Sequence, residues 1–402
     1  MSKSNSWMTS RFLIYAAGNF INTTGNSMYD VAMPLLVYHL THSSLAMSVT
    51  VATEAGAVLF QPLIGTLVDR TSPRTVLPIA MLYQAMLSGT VPLLYGLHDL
   101  TLGVIYGLTL LLSLGRNALL SIQTVVVPMM FADFKDRASA GLTASYTVTT
   151  ILGPLLAGGM LAWTGYQALL WMNCVSFLAP VILLPWTRVP VRKRSMPNTP
   201  RTSWWSHTQM GFQELTKHDF TKNLLVSLVA LRMVNAAILP LATFLLKHEF
   251  GLSNAFVSWI FILQGIGSLI GTQLPMRWHR LSTLHFLLYM AGLNVVGLLC
   301  ILLPTWPGVP AGLLLGAIGY LGAAVARNLL LQNHIPSELL GRANASFRTV
   351  TGMAAIVAPL AMGEVSQAWG AKSAVIVLAC VAVVPILLMV RSKDRASVSS
   401  AS

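Results

Sequence analysis

Long apolar runs, separated by short polar or glycine- and proline-bearing stretches, recur along the whole chain. Twelve of them approach the roughly 20 residues that a helix needs to cross a bilayer. They lie near 12–38, 45–67, 75–97, 101–124, 143–164, 166–187, 221–246, 253–275, 283–304, 309–332, 346–368 and 372–390. Strands of a membrane barrel would alternate over about 10 residues. These runs are longer and do not alternate, so the pattern predicts an all-α integral membrane protein with twelve transmembrane helices. The pattern also repeats. An offset of 206 sets Pro34 of MPLLVY on Pro240 of LPLATF, Gly65 on Gly271 and Tyr83 on Tyr289. With small gaps, RNALL at Arg116 falls on RNLLL at Arg327. Such duplication predicts two pseudo-symmetric six-helix bundles, over 1–187 and 223–391, and apolar halves that both keep an Arg-Asn pair mark a secondary transporter. A basic, proline-rich linker over 188–222 joins the bundles, and a polar cytoplasmic tail follows over 392–402. The spacing of Trp205, Phe212 and Leu215 within the linker allows a short amphipathic helix lying on the membrane.

Composition sharpens this picture. Hydrophobic residues make up 55% of the chain and charged ones 9%, against about 25% charged in soluble proteins. The net charge of +13 could suggest a nucleic-acid partner, but its placement points elsewhere. Lys and Arg concentrate at the termini and in the even-numbered connections, while Lys247 and Lys372 stand in odd-numbered ones. That bias predicts a multi-pass protein of the plasma membrane with both termini and the linker in the cytoplasm. It leaves anionic lipid, and no nucleic acid, as the partner of the basic loops. No connection has room for a nucleotide-binding domain and no GxxxxGK[ST] occurs, so ATP-driven transport by this chain is excluded. Cys174, Cys300 and Cys380 match no metal-binding spacing, and no cofactor is expected.

Polar residues inside the apolar runs carry the candidate chemistry. Tyr15, Asn19, Asn22, Asn26 and Asp30 follow one another at helical spacing and share one face of the first span. Amides and an acid on one face of a membrane helix line a cavity or bond between helices, and they do not face lipid. Asp30 and Glu54 lie at similar depth on consecutive spans. Desolvation opposes ionisation there, and a carboxyl that gains and loses a proton is what proton coupling requires. Arg116, Arg232 and Arg327 lie in the fourth, seventh and tenth spans. Arginine stays charged, so each needs an acid, a carbonyl or an anion. Counting from the helix ends puts Arg116 deeper than Asp30, which predicts unpaired positive charge in the cavity; ion pairs holding the helices are the other reading. The candidate substrate contacts are Asn19, Asn22, Asn26, Arg116, Arg232, Asn235 and Arg327, with Asp30 or Glu54 carrying the proton.

Two motifs resemble a known family. GTLVDRTSPRTVL, with Gly65, Leu67, Asp69, Arg70 and Arg74, is similar to the loop between the second and third helices of the major facilitator superfamily; Ser72 stands where a glycine is usual. GPLLAGG, with Gly153, Pro154 and Gly158, resembles the fifth-helix signature of its antiporter branch; Thr149 and Ala157 replace two glycines. The likeness to the superfamily covers almost the whole chain, and the stretches GNSMYDVAMPLLVYHLTHSS and DRASAGLTASYTVTTILGP resemble its drug, macrolide and siderophore exporters, which are proton antiporters. The resemblance implies two bundles working by alternating access, usually as a monomer, in a bacterial inner membrane. It implies that Asp69, with Gly65, Arg70 and Arg74, latches the inner gate by facing the positive end of the eleventh helix. Gly153, Pro154 and Gly158 would shape the fifth helix. The expected function is proton-coupled efflux of a small amphipathic molecule. An importer or facilitator of an organic anion is the alternative, and a membrane receptor or enzyme a remote one, since the nine histidines are scattered.

Overall fold

The computed structural model describes residues 8–61, 63–65, 71–187, 189, 212–213, 215–217, 219–277, 282–335 and 337–399. Eleven long α-helices and one shorter one, α2, run through them: α1 Ser10–Thr41, α2 Ser44–Gly56, α3 Pro73–Gly96, α4 Leu102–Met130, α5 Lys135–Trp163 and α6 Gly165–Thr187 in the first half. The second half contributes α7 Asp219–Phe244, α8 Asn254–Arg277, α9 Thr283–Ile301, α10 Gly308–His334, α11 Ser337–Trp369 and α12 Ala371–Ser399. Helix α12 therefore continues through residues that the sequence marks as a polar tail. Ten spans are long and apolar enough to cross a membrane. The other two helices are α2, only 13 residues long, and α1. The amide stripe of α1 lowers its hydropathy although its 32 residues exceed the length required.

The chain divides into two compact units. The first holds 1–36, 57–198 and 254–262; the second holds 37–56, 199–253 and 263–402. In the first unit α3 packs along α4 and α6. Its core gathers Phe12, Leu77, Met81, Ile122, Phe131 and Phe177, with Phe12 and Phe131 in edge-to-face contact at 5.4 Å between ring centres. In the second unit α9 lies along α10 and α7 packs on α11 and α12. Leu215, from the stretch read as a membrane-lying helix, is fully buried in that unit's core beside Leu224, Leu231 and Phe286. Trp205 lies outside the described residues.

The outward faces are apolar. Met86, Leu63, Ile182 and Leu387 are all more than half exposed, an arrangement that suits lipid as solvent and would be costly in water. Trp163, Trp306 and Trp369 are also exposed, near the α5–α6, α9–α10 and α11–α12 connections, positions that suit tryptophan at a membrane boundary.

With lipid outside, helices gain little from apolar burial and associate by close backbone approach. The tightest instance joins α9 to α10. A Cβ added at Gly297 would meet the Gly312 carbonyl oxygen at 2.8 Å and the Gly316 nitrogen at 2.9 Å. A Cβ at Gly312 would collide with the Gly297 carbonyl in turn. Replacing Gly312 with leucine is accordingly expected to cost about 1–3 kcal/mol by overpacking. The thermal midpoint of the detergent-solubilised protein should fall by several degrees. Gly292→Ala, where a Cβ meets nothing within 4 Å, should leave the midpoint unchanged; equal midpoints in the two variants would refute the close-approach argument.

Candidate transport site

A pocket of about 120 Å³ opens inside the first unit, walled by α1, α4 and α5. Helix α1 contributes Asn19, Asn22, Asn26 and Asp30, four of the five stripe residues, as the helical period requires. Tyr15 departs from the stripe. Its ring is buried in the apolar cluster, 6.0 Å from that of Phe131. Tyrosine can do this because its body is apolar and only its tip is polar.

Two ionic bonds fix the floor of the pocket. Arg116 on α4 donates from both terminal nitrogens to the Asp30 carboxylate, at 2.8 and 3.1 Å. The Arg116 side chain is 28% exposed and that of Asp30 is 42% exposed, so solvent reaches both charges. The expectation of an unpaired Arg116 deeper than Asp30 is thus replaced by a paired one. Counting from helix ends fails here because α1 is 32 residues long, about 48 Å at 1.5 Å per residue, well over the hydrocarbon thickness. The bidentate geometry is the strongest that a guanidinium can make with a carboxylate. Amides line the wall above it. The Gln123 side-chain amide donates to Asn19 Oδ1 at 2.8 Å, while Asn22, only 4% exposed, keeps an Oδ1 with no partner. An unfilled acceptor in a buried site is costly and is available to a ligand's donor or to water.

The α4 and α5 walls hold residues that the sequence reading missed: Gln123, Tyr146, Thr149 and Thr150. Tyr146, Thr149, Thr150 and Gly153 share one face of α5 at spacings of three and four, a signal that was available. It is weak because a threonine hydroxyl can bond to its own helix. Thr149 donates to the Tyr146 carbonyl and Thr150 to the Thr147 carbonyl, each at 2.7 Å, so neither residue advertises a site.

The α5 signature residues have packing partners. A Cβ at Gly153 would collide with Ser27 of α1, so glycine brings α5 against α1 and closes one side of the pocket. Pro154 is buried inside the helix. A Cβ at Gly158 would collide with the Trp259 indole and meet the Ala255 carbonyl oxygen of α8 at 2.9 Å. The Trp259 indole N–H donates to the Leu155 carbonyl at 3.3 Å.

The remaining candidates are scattered. Glu54 lies half-buried on α2, in the second unit. Asp69 and Arg70 lie outside the described residues. Gly65 has open space where a Cβ would stand, and Arg74 is exposed in the first turn of α3. In the second unit Asn235 lines a 20 Å³ cleft with Gln264 and Asn294. Arg232 donates to the Tyr320 hydroxyl at 3.4 Å. Arg327 donates to Asn328 and lies 4.5 Å from the centre of the Phe347 ring. Among the described residues no carboxylate pairs with Arg232 or Arg327.

Comparison with known proteins places this architecture. The MFS-type transporter y4rN of Sinorhizobium fredii is 29% identical over 125 residues, 31% of each chain. The multidrug efflux pump SdrM of Staphylococcus aureus is 23% identical over 175 residues, 42% of this chain and 37% of the pump. The chain thus matches about a third of the length of these relatives. A bacterial homologue of the iron transporter ferroportin, in its inward-facing state, superposes with a TM-score of 0.77. It is 18% identical, and the match covers 95% of this chain and 98% of that one, so the likeness is one of fold. The sequence pattern of the Major Facilitator Superfamily matches residues 15–228 and 224–401. With twelve helices, the duplicated halves and nearly the whole length accounted for, the chain belongs to the major facilitator superfamily of membrane transporters.

Proposed function

We propose that the protein exports a small amphipathic molecule across the plasma membrane by exchange for protons. The observation that carries this reading is the bidentate Asp30–Arg116 pair in a solvent-reached pocket. Protonating Asp30 removes the charge that holds both guanidinium bonds. The pocket therefore has two forms: one with Asp30 ion-paired to Arg116, the other with a neutral acid facing the guanidinium. Exchange requires that difference, because a proton can drive substrate movement only where the two states bind substrate unequally. Asn19, Asn22 and Asn26 supply donors and acceptors to the substrate, and Leu119 and Leu120 offer an apolar surface beside them. The similarity to a multidrug efflux pump supports the outward direction. Two six-helix halves, with both termini and the linker in the cytoplasm, follow from the duplication and from the placement of Lys and Arg.

In that orientation, residues at the external ends must separate for the path to open outward. On α2, Ser48 is fully buried, and a Cβ at Gly363 of α11 would stand 2.7 Å from the Ser48 Cβ. On α5, Gly158 meets Trp259. The opposing, cytoplasmic gate is assigned to Gly65, Asp69, Arg70 and Arg74 on their sequence motif alone, and Pro154 permits α5 to bend.

The coupling reading is tested in proteoliposomes by following internal pH as a macrolide and a siderophore are added. Wild type should show substrate-dependent proton movement, Asp30→Asn should lose at least about tenfold of it, and Glu54→Gln should keep it. Proton movement retained in Asp30→Asn and lost in Glu54→Gln would transfer the role to Glu54. Substrate movement without protons in all three would sink exchange altogether.

The gate reading is tested with a Ser43→Cys, Gln367→Cys pair, whose native side chains meet at 2.9 Å across the α2–α11 contact, in a background where Cys174, Cys300 and Cys380 are replaced. Bridging the pair with a short, reducible bifunctional thiol reagent should stop substrate movement, and reduction should restore it. Undiminished transport by the fully cross-linked protein would show that these two helices need not part.

A further inference from the structure

The two halves keep the same arginine but do not treat it alike. Arg116 and Arg327 occupy matching places in the duplication, each followed by asparagine. Under the offset that lays Pro34 on Pro240, Asp30 falls on Ala236 and Asn26 falls on Arg232. The second copy thus has no acid at that place and carries a second arginine. Its partners are correspondingly neutral: the Asn328 amide oxygen at 3.0 Å and the Phe347 ring for Arg327, and the Tyr320 hydroxyl at 3.4 Å for Arg232. Tyr320 bonds to Arg232 and stands seven residues before Arg327 on α10, so the helical period puts both on the same face of that helix.

A guanidinium within an apolar helix array is expensive unless an anion meets it. Amide, hydroxyl and ring dipoles compensate less than a carboxylate does. Arg232 and Arg327 are half-buried, so neither guanidinium is sealed inside the helix array. Cations clustered in one unit, with no carboxylate on Arg232 or Arg327 among the described residues, describe a receptor for a negative group that comes and goes.

We propose that the transported molecule carries an oxyanion, carboxylate or phosphate, and that Arg232 and Arg327 hold it. This rests on the transporter reading and on neither its direction nor its coupling ion. The planar fork of arginine suits either oxyanion, and among the described residues no carboxylate on Arg232 or Arg327 competes with an incoming anion. Arg116 differs, because Asp30 already occupies its two bonds.

The test is equilibrium binding, so it needs no gradient and its failure is separable from failure of the exchange reading. The full-length protein in phosphatidylcholine nanodiscs is titrated with 1-naphthoate and phenyl phosphate, and with the uncharged 1-naphthamide and benzyl alcohol. Thermal stabilisation is the readout. The anions should stabilise wild type at concentrations at least about tenfold below their uncharged counterparts, as charge-assisted hydrogen bonds imply. Arg232→Gln and Arg327→Gln should each remove that preference, whereas Arg232→Lys and Arg327→Lys should keep part of it. Anions that stabilise wild type no better than the neutral compounds would overturn the proposal without recourse to any variant, and so would a preference that survives both glutamine variants. A preference that disappears when phosphatidylglycerol replaces phosphatidylcholine would assign the cluster to a lipid headgroup and overturn it too.

Discussion

Arginine cannot shed its charge, so an arginine inside an apolar helix needs an acid, a carbonyl or an anion to meet it. Much of the first unit's architecture follows from that demand. Asp30 meets Arg116 with two short bonds, and this fixes the rotation of α1 about its axis. Once Asp30 faces α4, the helical period carries Asn19, Asn22 and Asn26 to the same side. The opposite face is left for apolar contact. The pocket is thus not an accident of loose packing but the space that the polar faces of three helices leave when their charges are satisfied.

Helix α5 connects this pocket to a second region of the unit. Tyr146, Thr149 and Thr150 line the pocket, Gly153 lets the helix lie against Ser27, and Gly158 meets Trp259. Pro154 stands among them. It has no N–H to give to the Thr150 carbonyl, so the helix is weakest between its pocket-lining turn and its α8-facing turn. A bend at that point would move one without the other. Such a joint allows a change at the ligand to be felt at a contact a turn or more away, without any chain of side-chain bonds.

The fold was legible because lipid imposes a coarse rule, that spanning segments are helical and apolar for about 20 residues. The rule is strained at α1, which carries many amides, and at α2, which has only 13 helical residues; both were read as spans from the sequence, yet neither is among the ten long apolar helices. The site was legible where polarity is unambiguous, as for the asparagines and Asp30. It was illegible where a side chain can satisfy itself or split its character. Thr149 and Thr150 bond to their own helix, and Tyr15 turns its ring into the core. The Asp30–Arg116 bond was missed for a third reason. Depth counted along a helix assumes that the helix begins at the membrane edge, and a 32-residue helix need not.

Duplication explains why two halves of one chain carry comparable parts, and divergence explains why those parts do different work. A symmetric protein would have an acid at position 236 and would hold both arginines in closed pairs, leaving no charge for a ligand. Replacing that acid with Ala236, and the counterpart of Asn26 with Arg232, shifts the second half by two positive charges relative to the first. On the proposed reading, the first half contains an internal pair that a proton opens, and the second contains cations that wait for an external partner. These are complementary tasks. A proton-sensitive switch needs a resident anion, whereas a site that must release an anion each cycle cannot keep one.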